Sequence, residues 1–300
     1  MSRVASFPAP PVSRAFARSR LRGRRRRSPV LAAGGVILLA FVVMALAGPL
    51  FGLDPSHIDP LGRLKPPSGQ DWLGTDHVGR SVLARTVWGA QVSLAVGALV
   101  MLVTTVTGVL LGVLAGYFRA FDSVTMRVMD AVMAIPAILL AIALVSLIGA
   151  GTFVLVVAIS LPEIPRMARM VRASVLVLRD QPFVEAAITN GGKTHNILIR
   201  HILPGGAGPI LVQATYVFAS AMILEAILSF LGAGTPPDVP SWGNMMAEGR
   251  LYLQLAPWVL AVPGVCLALL VLSVNLMGDA WRDMLDPSLA RTPSDQERGR

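Results

Sequence analysis

The chain is poor in charge and nearly devoid of cysteine. Asp, Glu, Lys and Arg make up 14% of its 300 residues, where a soluble domain carries about a quarter. Its single cysteine, Cys266, lies inside an apolar run. That excludes a disulfide framework and a thiol-held metal cluster. The four histidines, His57, His77, His195 and His201, show no zinc-ligand spacing with a third ligand. They also fall in segments on opposite faces of the apolar runs, so no Ser–His–Asp arrangement is legible. No catalytic residue, metal ligand or cofactor site is expected. What the chain has in excess is apolar residue: 54% is hydrophobic, the mean hydropathy is +0.65, and this content is gathered into blocks.

A helix that crosses about 30 Å of hydrocarbon needs about 20 apolar residues. Six segments qualify as candidates: 30–51, 92–118, 129–148, 152–164, 207–231 and 257–277. The fourth is the weakest, because Pro162, Glu163 and Pro165 interrupt it. It is expected to continue as a kinked helix beyond the membrane. Six crossings make an all-α integral membrane protein with both termini on one side.

The net charge of +9 resembles a nucleic-acid signal until it is mapped. Nine arginines, from Arg3 to Arg27, precede the first apolar run, and beyond them acidic and basic residues balance. A basic tail over 1–28 that meets anionic lipid on the cytoplasmic side is the reading that fits this position, and no nucleic acid is expected. Inner segments would also hold Arg119, Arg127, Arg166, Arg169, Arg172, Arg179, Lys193, Arg200 and Arg282. The outer ones would hold only Arg63, Lys65, Arg80, Arg85 and Arg250. Basic residues favour the cytoplasm, which places both termini inside a multi-pass cytoplasmic-membrane protein.

Further details refine this plan. Trp72, Trp88, Trp242, Trp258 and Trp281 fall in loops or at segment ends, where an indole favours the interface. The run 80–89 puts Val82, Leu83, Thr86 and Val87 near one helical face, as a surface helix before the second span would. Gly108, Gly112 and Gly116 recur at every fourth position and predict a ridge for close helix packing. Pro136 and Pro263 predict kinks. Glu225 stands out as a carboxylate inside the fifth span. It must face the bundle interior, a partner helix or water, in a pathway role or a structural one.

The segment 185–204, EAAITNGGKTHNILIRHILP, is polar and sits between apolar runs. Phe183, Val184, Ala187 and Ile188 share a helical face apart from Glu185 and Thr189, which predicts a short amphipathic helix able to enter a groove on a soluble partner. Gly191 and Gly192 permit a reversal, residues 196–203 form a second helical stretch, and Pro204 begins the fifth span. Residues 187–194 also match a relaxed phosphate-loop pattern with alanine at its first glycine. Such a loop must follow a buried strand and open a helix in a folded soluble domain, and that context is missing.

Glu185-Ala186-Ala187, then Gly191, His201 and Leu203-Pro204, resembles the EAA loop of ABC-importer permeases. Other stretches extend the likeness: Trp72 to Asp76 with Gly79-Arg80, Leu114 to Phe118, Ala168 to Arg172, Leu228 to Gly232 with Pro240 to Gly243, and Asn275 to Asp279 with Asp286-Pro287. With them the chain resembles the C-type permease subunits of dipeptide, oligopeptide and nickel ABC importers. It departs from them at Ile164-Pro165, Met167 and Asn190. The departures at Ile164-Pro165 and Met167 lie near the expected pathway.

The resemblance implies a type I permease bundle that carries peptides by alternating access. Its partners would be a B-type permease, a pair of cytoplasmic ATPase subunits and an external solute-binding protein. ATP hydrolysis would belong to those subunits, with Glu185, Ala186, Ala187, Gly191, His201, Leu203 and Pro204 forming the docking loop. The implied divisions are a tail at 1–28, a first span and outer loop at 29–91, a core at 92–280 with its loop at 181–204, and a second tail at 281–300. Nickel or another small solute is the alternative cargo. An ion-coupled secondary transporter would instead need buried ionisable residues in several spans and discontinuous helices in paired halves.

Overall fold

In a computed structural model, the structure describes residues 29–236 and 238–285. The basic segment 1–28 and the Asp286-Pro287 ending lie outside them. The described residues form helices and turns with no named strand, apart from one isolated bridge between Thr75 and Ser81. In chain order the helices are α1 (Pro29–Ala47), α2 (Val82–Tyr117), α3 (Arg119–Met133), α4 (Ala137–Ile148), α5 (Thr152–Arg179), α6 (Pro182–Thr189), α7 (Thr194–Ile197), α8 (Leu203–Phe230), α9 (Trp242–Gly249) and α10 (Pro257–Leu285).

By length and composition, α1, α2, α10 and the continuous stretch Thr194–Phe230 can each cross a membrane. The pair α3 and α4 adds a fifth crossing if it is taken as one bent span. Helix α5 is long enough, but it carries Glu163, Arg166, Arg169, Arg172 and Arg179. It is nevertheless the central helix. Leu155, Ile159, Met167, Ala168, Val171 and Val175 are buried on it, in a core shared with α2, α4 and α8. It continues as one helix through Pro162 and Pro165.

The glycine ridge of α2 lies along this helix. A Cβ at Gly112 would stand 2.6 Å from the Ala168 carbonyl oxygen, and one at Gly116 would stand 2.7 Å from Val175 Cβ. At Gly108 it would meet the Met167 side chain. The backbones of α2 and α5 therefore approach too closely for any larger residue. Met167 is fully buried in this seam.

Three expectations need correction. The run 80–89 is not a surface helix, because Ser81 caps the N-terminus of one helix that continues to Tyr117. Val82, Ala84, Val87 and Ala90 are buried along it, since no residue between the cap and the span breaks the backbone ladder. Second, Pro136 does not merely kink the third segment. Helix α3 ends at Met133, Pro136 is extended, and α4 leaves at 86°. Proline lacks the N–H that would have continued α3.

The third concerns Trp242, which is fully buried and not interfacial. Its indole donates to the Thr86 carbonyl at 2.9 Å and meets the edge of Phe41 at 5.5 Å. It opens α9 behind Ser241, whose hydroxyl accepts from the Asn244 backbone.

Candidate functional site

Helix α5 delivers the chain, through Asp180 and Gln181, straight into the loop singled out above. Pro182 opens α6, where its missing N–H costs nothing. Val184 is fully buried and packs with Ile197 and Ile202 in the central core, while Ala187 is half-buried against them. The middle of the apolar face is thus used by the chain's own fold. Phe183 and Ile188, at the edges of that face, stay exposed. This corrects the expectation that the whole face is free, and it follows from the short connections that press α6 onto α7.

The reversal after α6 has the geometry of a Schellman cap. The Gly191 N–H donates to Ile188 O at 2.9 Å and the Gly192 N–H to Ala187 O at 3.0 Å. Gly191 has φ +75°, a left-handed conformation natural to glycine at a helix end. Asn190 is the residue before it, ending the helix with ordinary right-handed φ. Both amides that a phosphate-binding turn would offer are consumed by the helix they terminate, and the preceding element is a helix. No phosphate loop forms here.

The second arm differs from expectation in one respect. Pro204 does not begin a separate helix. Helix α7 runs through a π turn, Leu198–Ile202, into α8, and the Leu203 N–H donates to Leu198 O, five residues back. The wider turn takes up the misfit at Pro204, which cannot donate to the carbonyl four residues behind it.

His201 is exposed, and its ring lies 6.4 Å from that of Phe183, joining the two arms. Glu185 and Ala186 are exposed on α6, with Lys193, Asn196 and Arg200 also on the surface. The loop is therefore a compact two-armed knob. It is rooted in the core by Val184, Ile197 and Ile202 and presents a mixed polar and apolar surface.

The arginines that follow Pro165 lock the root of this knob. Arg172 makes a two-pronged ion pair with Asp122 of α3, at 2.5 and 2.7 Å. Arg169 bonds Asp130 of the same helix, and Arg179 donates to the Gly116 carbonyl at the end of α2 at 3.1 Å. The stretch from Ala168 to Arg172 is thus a clamp: alanine fits the glycine ridge while the arginines hold α3.

Two carboxylates are fully buried in the bundle. Glu225 accepts from Ser229 at 2.9 Å and lies 3.5 Å from Ser93, contacts within the fold. Glu163 was read only as an interruption of its span. It binds Arg166 Nη1 at 2.6 Å and Ser220 of α8 at 3.3 Å, and among the described residues its Oε2 has no hydrogen-bond partner. Glu225, which stood out in the sequence, therefore shares the bundle with a second buried carboxylate. The signal for Glu163 was its spacing three residues ahead of Arg166, on one helical face.

On the opposite end, Asp76 and Glu248 bracket two arginines. Fully buried Arg85 bonds Asp76 at 2.7 Å and Glu248 at 2.5 Å, and Arg80 reaches the same two acids at 2.7 and 2.9 Å. Burial alone would push the Asp76 carboxyl up. The backbone N–H groups of Arg80 and Val78 and the Arg80 charge outweigh it and hold the group below its ordinary value. Asp76, His77 and Glu248 could place three ligand atoms within 4.8 Å of one another. The two guanidinium groups already neutralise both acids, so the cluster reads as an ion-pair network tying the first long loop to α2 and α9.

Residues 108–291 match the family described as binding-protein-dependent transport system inner membrane component. The chain belongs to this family. A probable peptide ABC transporter permease of Sinorhizobium fredii is 51% identical over 266 residues, 89% of this chain and 91% of the relative. A dipeptide transport system permease of Alkalihalophilus pseudofirmus is 38% identical over 266 residues, 88% of each chain. A solved structure of the MetNI methionine ABC transporter in inward-facing form shares the fold. It has a TM-score of 0.52 and 20% identity, covering 68% of this chain and 96% of the other. This inner-membrane component is an all-helical integral membrane permease subunit, and it is not itself an enzyme.

Proposed function

We propose that this permease forms half of the translocation path of a peptide ABC importer. The observation that carries the reading is the two-armed knob at 182–202, rooted in the core at the end of the central helix and exposed where a partner can grip it. Peptide as cargo rests on the peptide and dipeptide permeases that match this chain over most of its length. Two cytoplasmic ATPase subunits would dock on this knob and its counterpart in a second, B-type permease, and a binding protein would deliver the solute from outside. The clamp from Arg169, Arg172 and Arg179 to α3 and α2 would carry a push on the loop into the bundle as rigid-body motion. In this arrangement α5 is a crossing too, the bent α3–α4 pair forms one span, and the count reaches six with both termini inside.

The loop residues Glu185, Ala186, Ala187, Gly191, His201, Leu203 and Pro204 act by contact and shape. The glycine ridge and Glu225 act in packing. Lys193→Ala should leave the ATP turnover of the assembled complex within twofold of wild type, because the loop does not hold nucleotide. Binding of nucleotide by this chain alone, lost on that change, would contradict the assignment.

The proposal is tested by reconstituting the chain with its neighbouring permease, ATPase and binding-protein partners in proteoliposomes. Uptake of a labelled dipeptide should require both internal ATP and binding protein. Uptake driven by an ion gradient without ATP would favour a secondary transporter instead.

A further inference from the structure

Arg166 stands at the middle of α5 in an unusual setting. It follows Pro165 by one residue and lies about 21 Å along the helix from Thr152. Its side chain is 43% exposed, while its partner Glu163 is fully buried. Only Nη1 is engaged, at 2.6 Å from Glu163 Oε1. Among the described residues Nε and Nη2 have no hydrogen-bond partner. Glu163 is in turn held by Ser220 of α8 at 3.3 Å, and Tyr216, one turn before Ser220, is exposed.

With α5 crossing the membrane from Thr152, as proposed above, a guanidinium directed at lipid at this position would cost several kcal/mol. Its neighbours on the exposed side of α5 do not suggest a lipid face: Arg169, next along it, is engaged in an ion pair with α3. The buried acid fixes one prong of the fork, so the side chain is ordered before anything binds. The open edge, Nε with Nη2, is the planar pair of donors that receives a carboxylate in two parallel hydrogen bonds.

We propose that Arg166 is a substrate-binding residue of the translocation path, receiving the C-terminal carboxylate of a passing peptide, and that Glu163 and Ser220 are its positioning residues. The inference rests on the importer reading above and goes beyond it by naming the recognised group. Glu163 also compensates the charge of Arg166, so the site holds an anion without becoming a deep trap for it. A path must release what it binds.

The test uses the reconstituted complex and two probes, a labelled dipeptide with a free C-terminus and its C-terminal amide. The same loaded binding protein serves wild type and variant, so its own preference cancels in the variant-to-wild-type ratio. Arg166→Gln should lower uptake of the free acid at least tenfold and of the amide less than twofold, and Arg166→Lys should fall between wild type and Arg166→Gln for the free acid. Equal losses for both probes, or no loss, would overturn the proposal. If the second permease is also lost on purification, Arg166 belongs to a subunit contact and not to the path.

A second measurement needs no transport. In a Cys266→Ala background, Arg166→Cys should react with a water-soluble, membrane-impermeant thiol reagent, as a position facing a water-filled path must. A residue that never reacts faces lipid or protein, and the proposal falls. Absence of ATP-driven uptake of any peptide by wild type would remove the importer reading itself, a result separable from a failure confined to Arg166.

Discussion

Gly191→Val is expected to abolish most transport while leaving the protein in the membrane at its normal level. The backbone at Gly191 is left-handed, with φ +75°, and nothing stands within 4 Å of the place a Cβ would occupy. The penalty is therefore conformational and not a clash. A β-branched residue in this region costs about 1–3 kcal/mol, and every 1.4 kcal/mol shifts an equilibrium about tenfold.

That strain acts on a turn whose two hydrogen bonds, from the Gly191 and Gly192 N–H groups to the Ile188 and Ala187 carbonyls, set the angle between the arms. The core anchors Val184, Ile197 and Ile202 lie on either side of the turn and keep the knob attached. Gly191→Asn separates conformation from bulk, since asparagine tolerates a left-handed backbone far better. Uptake by the asparagine variant should stay within about threefold of wild type. Equal activity of the valine and glycine forms would show that the turn geometry does not matter for coupling.

Arg85→Ala should be the most destabilising single change at the end of the bundle opposite the knob. Arg85 is fully buried between Asp76 and Glu248. Removing one partner of a buried pair costs about 3–5 kcal/mol, because a buried charge is left uncompensated. Arg80 still reaches Asp76 at 2.7 Å and Glu248 at 2.9 Å, which puts the expected loss at the lower end, about 3 kcal/mol. Thermal unfolding in mild detergent should show a clear fall in midpoint, and Arg85→Lys should recover only part of it, lacking the fork.

The same network has a pH signature. Asp76 is held below its ordinary value, so its ionised form stabilises the fold above the unfolded carboxylate pKa of about 3.9. That contribution is lost as pH falls through the lower folded value. Asp76→Asn should flatten the acid limb of the stability profile. An unchanged midpoint for Arg85→Ala would mean that the network is not a fastening.

Local features were legible in the sequence where one element decides them. The Gly108, Gly112 and Gly116 spacing places three small residues on one helical face, and the structure sets α5 against that face. The reversal at Gly191 was legible from the paired glycines.

Features that join distant positions were not legible. Arg85 and Glu248 are separated by 163 positions, and only the fold brings them together, so Arg85 read as an ordinary outer-loop charge. Trp242 read as interfacial because its indole has a polar edge. The fold satisfies that edge internally with the Thr86 carbonyl, which lets the ring be buried. Glu163 was obscured by its two flanking prolines, which drew attention to the backbone. Half of the α6 face was misassigned for a similar reason: periodicity locates an apolar stripe, but whether the chain itself covers it depends on where α7 and the π turn lie.

The central claim is that residues 182–202 grip an ATPase. It is tested most directly by purifying the tagged chain from its native host in mild detergent, then identifying the co-purifying chains and assaying ATP hydrolysis for wild type and Glu185→Ala. The account predicts a second permease and ATPase subunits in the wild-type preparation. Glu185→Ala should reduce the recovered ATPase at least severalfold while the second permease remains. Recovery of an intact chain alone, or of the full complex undiminished by Glu185→Ala, would contradict the account.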